Sequence, residues 1–196
     1  MGHMDGLEVH DCTRCGDLVE SRSDIVSGVG DPDADLLFVG EAPGETEDRE
    51  GEPFVGRSGQ ILDDALADHA LARADVRITN CVRCRPPDNR DPTDAELGHC
   101  REFLEAEVAA VDPRLVVALG KVPSEHLLGR DVAVTAEAGA VETVSLGGDP
   151  RDVLVCVHPA ATLYDPGQRE TFADTVALAV ERAGGGGGDQ RSLGDF

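Results

Sequence analysis

Residues 36–62 read LLFVGEAPGETEDREGEPFVGRSGQIL. The run Leu36-Leu37-Phe38-Val39 is a short, wholly apolar strand, broken at Gly40 and followed by Glu41, Ala42, Pro43 and Gly44. An acidic segment comes next. Gly51, Pro53, Phe54, Gly56 and Gly59 then punctuate a long loop, and helical apolar spacing resumes near Ile61 and Leu62. A buried strand that runs through a glycine-rich loop into a helix is where open α/β sheets take their ligands, outside the carboxyl ends of the strands. The loop has carboxylates and an aromatic ring but no Gly-Lys-Ser/Thr ending, which excludes a phosphate-cradling P-loop.

Working outward, strands are expected at residues 35–39, 76–80, 115–119 and 153–157. Helices are expected at 59–71, after Thr93, at 122–128 and at 168–183. Thr93-Asp94-Ala95-Glu96 has the form of a capping box. Residues 131–147 alternate weakly about Gly139 and predict a hairpin excursion. This order predicts an α/β fold, a three-layer α/β/α sandwich around a central, mainly parallel, four-stranded sheet. Residues 5–183 form one expected domain, and the Gly-rich residues 184–196 an expected disordered tail. In a parallel sheet Glu41, Asn80 and His158, each at or just after a strand end, share one edge.

The 196 residues carry 39 acidic and 17 basic side chains, a net charge of -22. One basic residue, Lys121, is a lysine, and the other 16 are arginines. Such a chain repels polyanions in dilute salt, because neutralising phosphates supplies most non-specific DNA affinity. Two readings stand: an acidic protein without a nucleic-acid partner, or one that works in concentrated salt, where the Debye length falls to about 3 Å at 1 M. No apolar run reaches the length of a membrane span. The first residues lack the apolar core of a secretion signal, so a cytoplasmic protein is expected.

Six cysteines in that setting point to metal or redox chemistry rather than disulfides. Cys12 and Cys15 make one C-x2-C pair, Cys81 and Cys84 another, and Cys100 lies on the inward stripe of the helix after Thr93. Cys156, inside a strand, reads as a small buried hydrophobe. Zinc and an iron–sulfur cluster each take four thiolates, and the spacing leaves five candidates for four places.

Taken together, Cys12-x2-Cys15, Gly40-Glu41-Ala42-Pro43-Gly44, Pro53-Phe54-Val55-Gly56-Arg57, Thr79-Asn80, Cys84-Arg85-Pro86-Pro87, Cys100 and His158-Pro159-Ala160-Ala161 resemble the family 4 uracil-DNA glycosylases, and the salt-adapted composition resembles that of a halophilic archaeon. The resemblance covers the chain from Cys12 to the last helix. It implies a DNA-repair hydrolase that excises uracil from single- or double-stranded DNA as a monomer, with a [4Fe–4S] cluster on Cys12, Cys15, Cys84 and Cys100. Cys81 stands where that pattern needs no cysteine.

The resemblance also implies roles. Gly40 and Ala42 border the substrate. Phe54 offers a face for stacking a flipped base, and Asn80 offers both a donor and an acceptor to its Watson–Crick edge. His158 donates to uracil O2 as the anion develops, and Glu41 positions water and offsets charge on the sugar. Glu47 is expected to close the pocket against the thymine methyl group. Leu163 is a candidate wedge, and Arg57, Arg83, Arg85 and Arg90 are candidate phosphate contacts. With Lys121 the single lysine and no sign of it in the cleft, a Schiff-base strand-nicking step is not expected. The alternatives are a catalytically silent, cluster-bearing DNA-lesion binder of the same fold, and an α/β hydrolase using Glu41 with a divalent ion.

Overall fold

The computed structural model describes residues 7–184. Along the chain lie α1 (Gly16–Ser21), β1 (Val29–Gly30), β2 (Leu36–Gly40), α2 (Glu45–Glu50), α3 (Arg57–Ala67), β3 (Arg77–Asn80) and α4 (Asp94–Val111). They are followed by β4 (Leu115–Leu119), α5 (Lys121–Leu128), α6 (Val134–Glu137), β5 (Val141–Leu146), β6 (Asp149–Cys156) and α7 (Pro166–Gly184). Successive strand side chains point to opposite faces, so a strand covered on both sides must be apolar throughout. Leu37, Val39, Val116, Ala118 and Val153 face one layer, with Leu97, Leu104 and Val108 of α4 and Leu127 of α5. Leu36, Phe38, Ile78, Val117 and Leu154 face the other, with Leu62 and Leu66 of α3 and Phe172, Val176 and Ala179 of α7.

The three-layer α/β/α plan holds, but the sheet has six strands rather than four, in the order β1-β3-β2-β4-β6-β5. The inner four, β3, β2, β4 and β6, are parallel, as expected. The two edges are antiparallel. β1 has two residues, too few to show a period. β5 is a half-exposed edge strand, joined to β6 through Gly147 and Gly148, both at positive φ (67° and 93°). Residues 134–137, expected within the hairpin, instead make the single turn α6.

The expected loop after Gly44 contains α2. Its sequence, ETEDRE, has no apolar stripe to reveal a helix, and its acidic residues sit in the first turn, where the helix dipole favours them. α3 ends at Ala67, four residues before its apolar spacing fades. The amide of Ala70 reaches the Ala67 carbonyl and that of Leu71 the Leu66 carbonyl, with Ala70 left-handed at φ 58°. That is a Schellman ending, in which Leu71 folds back on the helix it has left. The capping box forms as expected: Glu96 N–H donates to Thr93 Oγ1 at 3.3 Å, and Thr93 N–H to Glu96 Oε2 at 2.8 Å. The expected tail lies outside the described residues, except Gly184, which closes α7.

A buried ionic knot fixes the end of β3. Arg77 Nε donates to Glu107 Oε1 at 2.6 Å, and Thr79 Oγ1 to Glu107 Oε2 at 2.9 Å. Arg83 donates to both Glu107 and Thr79. Burial pushes the Glu107 carboxyl up, but Arg83 and Arg77 together outweigh it and hold the group below the usual carboxylate range. Arg83, 2% exposed, is therefore a structural cation and not the phosphate contact expected of it.

Candidate functional site

The carboxyl ends of β2 and β3 stay zipped beyond the strands: Cys81 N–H reaches the Gly40 carbonyl at 2.8 Å, and Val82 N–H the Glu41 carbonyl at 3.0 Å. A pocket of about 250 Å³ opens there, lined by Glu41, Ala42, Gly44, Glu47, Phe54, Ser58, Asn80 and His158. A larger hollow of about 700 Å³ lies beside β1 and the end of α3; its lining is mostly apolar and includes none of the expected site residues. Convergent polar groups rather than volume mark a functional site, so the smaller pocket is the candidate.

Each wall has a local cause. Asn80 ends β3 at 2% exposure, and its Oδ1 is buried without a hydrogen-bond partner. A buried acceptor without a protein partner is open to a ligand N–H. Phe54 sits in the left-handed region at φ 55°, a strained conformation for a bulky residue. It is held there by Arg73, which donates to the carbonyls of Pro53 (2.6 Å) and Phe54 (2.8 Å) and pairs with Asp63. Gly40 lies directly behind. A Cβ at that position would come within 2.4 Å of Asn80 Oδ1 and 2.5 Å of the Phe54 ring, so only glycine lets strand, amide and ring meet. Phe54 both packs in the core and lines the pocket, with its ring centroid 5.9 Å from that of His158.

His158 follows β6. Its Nδ1 accepts the Ala160 N–H at 3.1 Å, so the neutral ring carries its proton on Nε2 and presents a donor. Burial lowers the His158 pKa to about 4, against a smaller opposing pull from Glu47. Glu41 moves the other way: burial, helped by repulsion from Asp91, raises it to about 7. Of the four acidic residues after Gly44, Glu47 is the one that faces the pocket, and its Oε1 accepts the Gly56 N–H at 2.8 Å. Asp48 is turned away and buried at 3% exposure, while Glu45 and Glu50 are exposed. Gly44, quoted in its motif without a role of its own, also lines the pocket, as does Ser58, which was not singled out from the sequence. The sharp turn into α3, where Gly59 packs on the Phe54 carbonyl, was the available signal for Ser58.

Five of the cysteines lie near one another. Burial raises the Cys15 thiol to about 11 and also raises Cys84 and Cys100; charge coupling links Cys12, Cys15, Cys84 and Cys100 to one another. Cys81 couples within this set to Cys100 and is wholly buried in the core. No three His, Cys, Asp or Glu side chains among the described residues are gathered tightly enough for a single metal ion. A cluster spreads its ligands more widely, with one thiolate per iron.

Among the other expected residues, Arg57 is exposed, one residue before the pocket-lining Ser58. Arg85 contacts Asn89 and Glu45, and Arg90 is engaged by the Glu96 carboxylate in two hydrogen bonds of 2.8 Å. Leu163 closes a 3-10 turn that starts at Pro159, and Tyr164 after it, the single tyrosine, is 85% exposed. Lys121 is exposed near Glu125 and outside the pocket.

Residues 27–179 match the family described as the Uracil DNA glycosylase superfamily. The chain belongs to that superfamily. It is 40% identical over 181 residues to the Type-4 uracil-DNA glycosylase of Archaeoglobus fulgidus, covering 90% of each chain. It is 35% identical over 189 residues to the Type-4 enzyme of Pyrobaculum aerophilum, covering 94% of this chain and 93% of the other. A Type-5 uracil-DNA glycosylase of the same organism is 33% identical over 205 residues, covering 88% and 89%. The superfamily assignment accords with a pocket in which Glu41, Asn80 and His158 meet from three parallel strand ends. No helix among the described residues is long and apolar enough to cross a membrane.

Proposed function

We propose that this uracil-DNA glycosylase superfamily member hydrolyses the N-glycosidic bond of uracil in DNA and leaves an abasic site. The observation that carries the reading is the open acceptor of Asn80 beside the Phe54 ring and the Nε2–H of His158. Uracil N3–H satisfies Asn80 Oδ1, and the Asn80 amide donates to uracil O4. Cytosine reverses that pattern and leaves buried groups unmatched. Phe54 stacks the flipped base, and Gly40 and Ala42 let the backbone approach it. Glu47 stands where the C5 methyl of thymine would go.

Bond breaking leaves the electron pair on uracil and positive charge on the sugar. The Nε2–H of neutral His158 donates to O2 of the departing anion, without a prior protonation. Glu41, when ionised, offsets the sugar charge and orients the water whose oxygen bonds to the anomeric carbon, taking up the proton released. The reading needs no amine and stops at the abasic site, consistent with the distant Lys121. Cys12, Cys15, Cys84 and Cys100 would hold a [4Fe–4S] cluster, which would tie the Cys12–Cys15 segment to the Cys84 loop and α4, with no step of the reaction assigned to it. Residues 5–183 are then one catalytic domain of a cytoplasmic monomer that acts on single- or double-stranded DNA. The excess of acidic over basic side chains makes it an enzyme suited to concentrated salt.

The test is a labelled uracil oligonucleotide incubated at several salt concentrations, with and without chelator, and then treated with alkali. Alkali-labile product that is indifferent to chelator and persists in molar salt is expected. Absence of product under every condition removes the glycosylase reading. Steep loss between low and molar salt removes the salt-adapted one.

A further inference from the structure

We infer that Arg22 and Asp48 form a splint between the cysteine quartet and the base pocket, so that Glu47 keeps its place only while the α1 segment is held. The inference rests on the function and ligand set proposed above. α1 is six residues long and buries one of its own side chains, Leu18, so it is not stable alone. Arg14, just before it, ties it to α4 through the His99 carbonyl and Glu102, and Arg22, just after it, ties it to the other cysteines. Arg22 Nη1 donates to Cys84 Sγ at 2.9 Å, and Nη2 to the Cys12 carbonyl at 2.7 Å. One guanidinium thereby joins the segment that carries Cys12 and Cys15 to the loop that carries Cys84, using two donors in a fixed fork.

The next two residues pass the connection on. Ser23 N–H lies 2.8 and 2.9 Å from the two oxygens of Asp48, and Asp24 N–H lies 3.3 Å from Oδ1. Asp48 is buried, and among the described residues these backbone donors, rather than a cation, meet its side chain. Its own N–H bonds the Gly44 carbonyl, and Gly51 N–H bonds that of Glu47. Asp48 therefore pins α2, and α2 carries Glu47 and begins at the Gly44 wall of the pocket. A carboxylate suits this site because both oxygens accept; an asparagine would turn an NH2 towards a backbone N–H. Asp48 is thus a positioning residue for Glu47, and Arg22 holds the far end of the same connection.

Two variants and two readouts test the splint. Asp48→Asn is expected to retain iron and the absorbance near about 400 nm. Its KM on a uracil oligonucleotide should rise about tenfold with a smaller change in kcat, and its preference for uracil over thymine should fall. Arg22→Ala is expected to lose iron faster to a chelator, with Arg22→Lys intermediate. Before that loss, amide hydrogen exchange in Arg22→Ala should rise in residues 44–50 as well as 12–24. Wild-type discrimination in Asp48→Asn, or faster exchange in Arg22→Ala confined to residues 12–24, overturns the splint. An inactive or iron-free wild type instead overturns the proposed function, so the two failures are distinguishable.

Discussion

Replacing Glu41 with glutamine tests whether a carboxylate held partly out of water drives the reaction. Burial, and to a lesser degree Asp91, raises Glu41 to about 7 from its ordinary 4.5. The ionised fraction is then about 10% at pH 6, one half at pH 7 and about 90% at pH 8. The single-turnover rate should climb about tenfold between pH 6 and its plateau. His158, lowered by burial to about 4, stays neutral throughout and adds no limb. Glu41→Gln should flatten the profile and drop the plateau by about 10²–10⁴-fold. Asp91→Asn should move the midpoint down by less than half of the displacement, since burial is the larger cause. Stability must move oppositely. An acid whose folded pKa is raised stabilises the fold below its unfolded value and loses that contribution as pH rises to the folded one. Glu41→Gln should therefore be more stable than wild type at pH 8, by about 1–2 kcal/mol after allowance for solvent reaching the carboxylate. The assay is rapid-quench cleavage of a uracil oligonucleotide from pH 5 to 9 at constant ionic strength, paired with denaturant melts. A rate that is flat between pH 6 and 8, or a glutamine variant that keeps the limb, refutes the reasoning.

Gly40→Ala should abolish uracil binding and also destabilise the fold, by about 1–3 kcal/mol, because the new methyl meets the buried Asn80 amide and the core-packed Phe54 ring; inhibition by free uracil and a denaturant titration measure the two effects. Glu107→Ala strands two buried arginines and should cost about 3–5 kcal/mol in a denaturant titration. Glu96 is held at about 2, chiefly by Arg90, so its share of stability is complete above the ordinary carboxylate range and is lost as pH falls from about 4.5 to about 2. An Arg90→Ala variant should lose most of that acid-side dependence, the Thr93 hydrogen bonds keeping the rest, as measured by melts between pH 2 and 6.

The four inner strands were legible because each is a run of apolar residues that two covering layers demand. The meeting of Glu41, Asn80 and His158 followed from parallel strands sharing an edge. What could not be read has physical reasons. β1 and α2 are held by tertiary contacts, with no amphipathic period of their own. Which carboxylate after Gly44 enters the pocket depends on the roll of a six-residue helix, whose Asp48 and Glu47 meet amides at residues 23, 24 and 56, outside the helix itself. Arg83 looked like a surface cation because a sequence does not display Glu107, 24 residues on, turned to meet it. The tautomer of His158 rests on a single backbone N–H two residues later, which no residue type encodes.

Every group lining the pocket comes from residues 41–80 except His158, which arrives only with β6. β6 joins the sheet against β4, and β4 against β2. The outer wall is therefore the last piece to become possible in sequence order, and no contiguous fragment ending before residue 158 contains a complete site. Nascent chains stopped short of that point would carry Asn80 and Phe54 without an anion-stabilising donor. Pairing of β6 with β4 is thus what closes the pocket, and a disturbance of that pairing would take His158 out of the site while leaving Asn80 on β3.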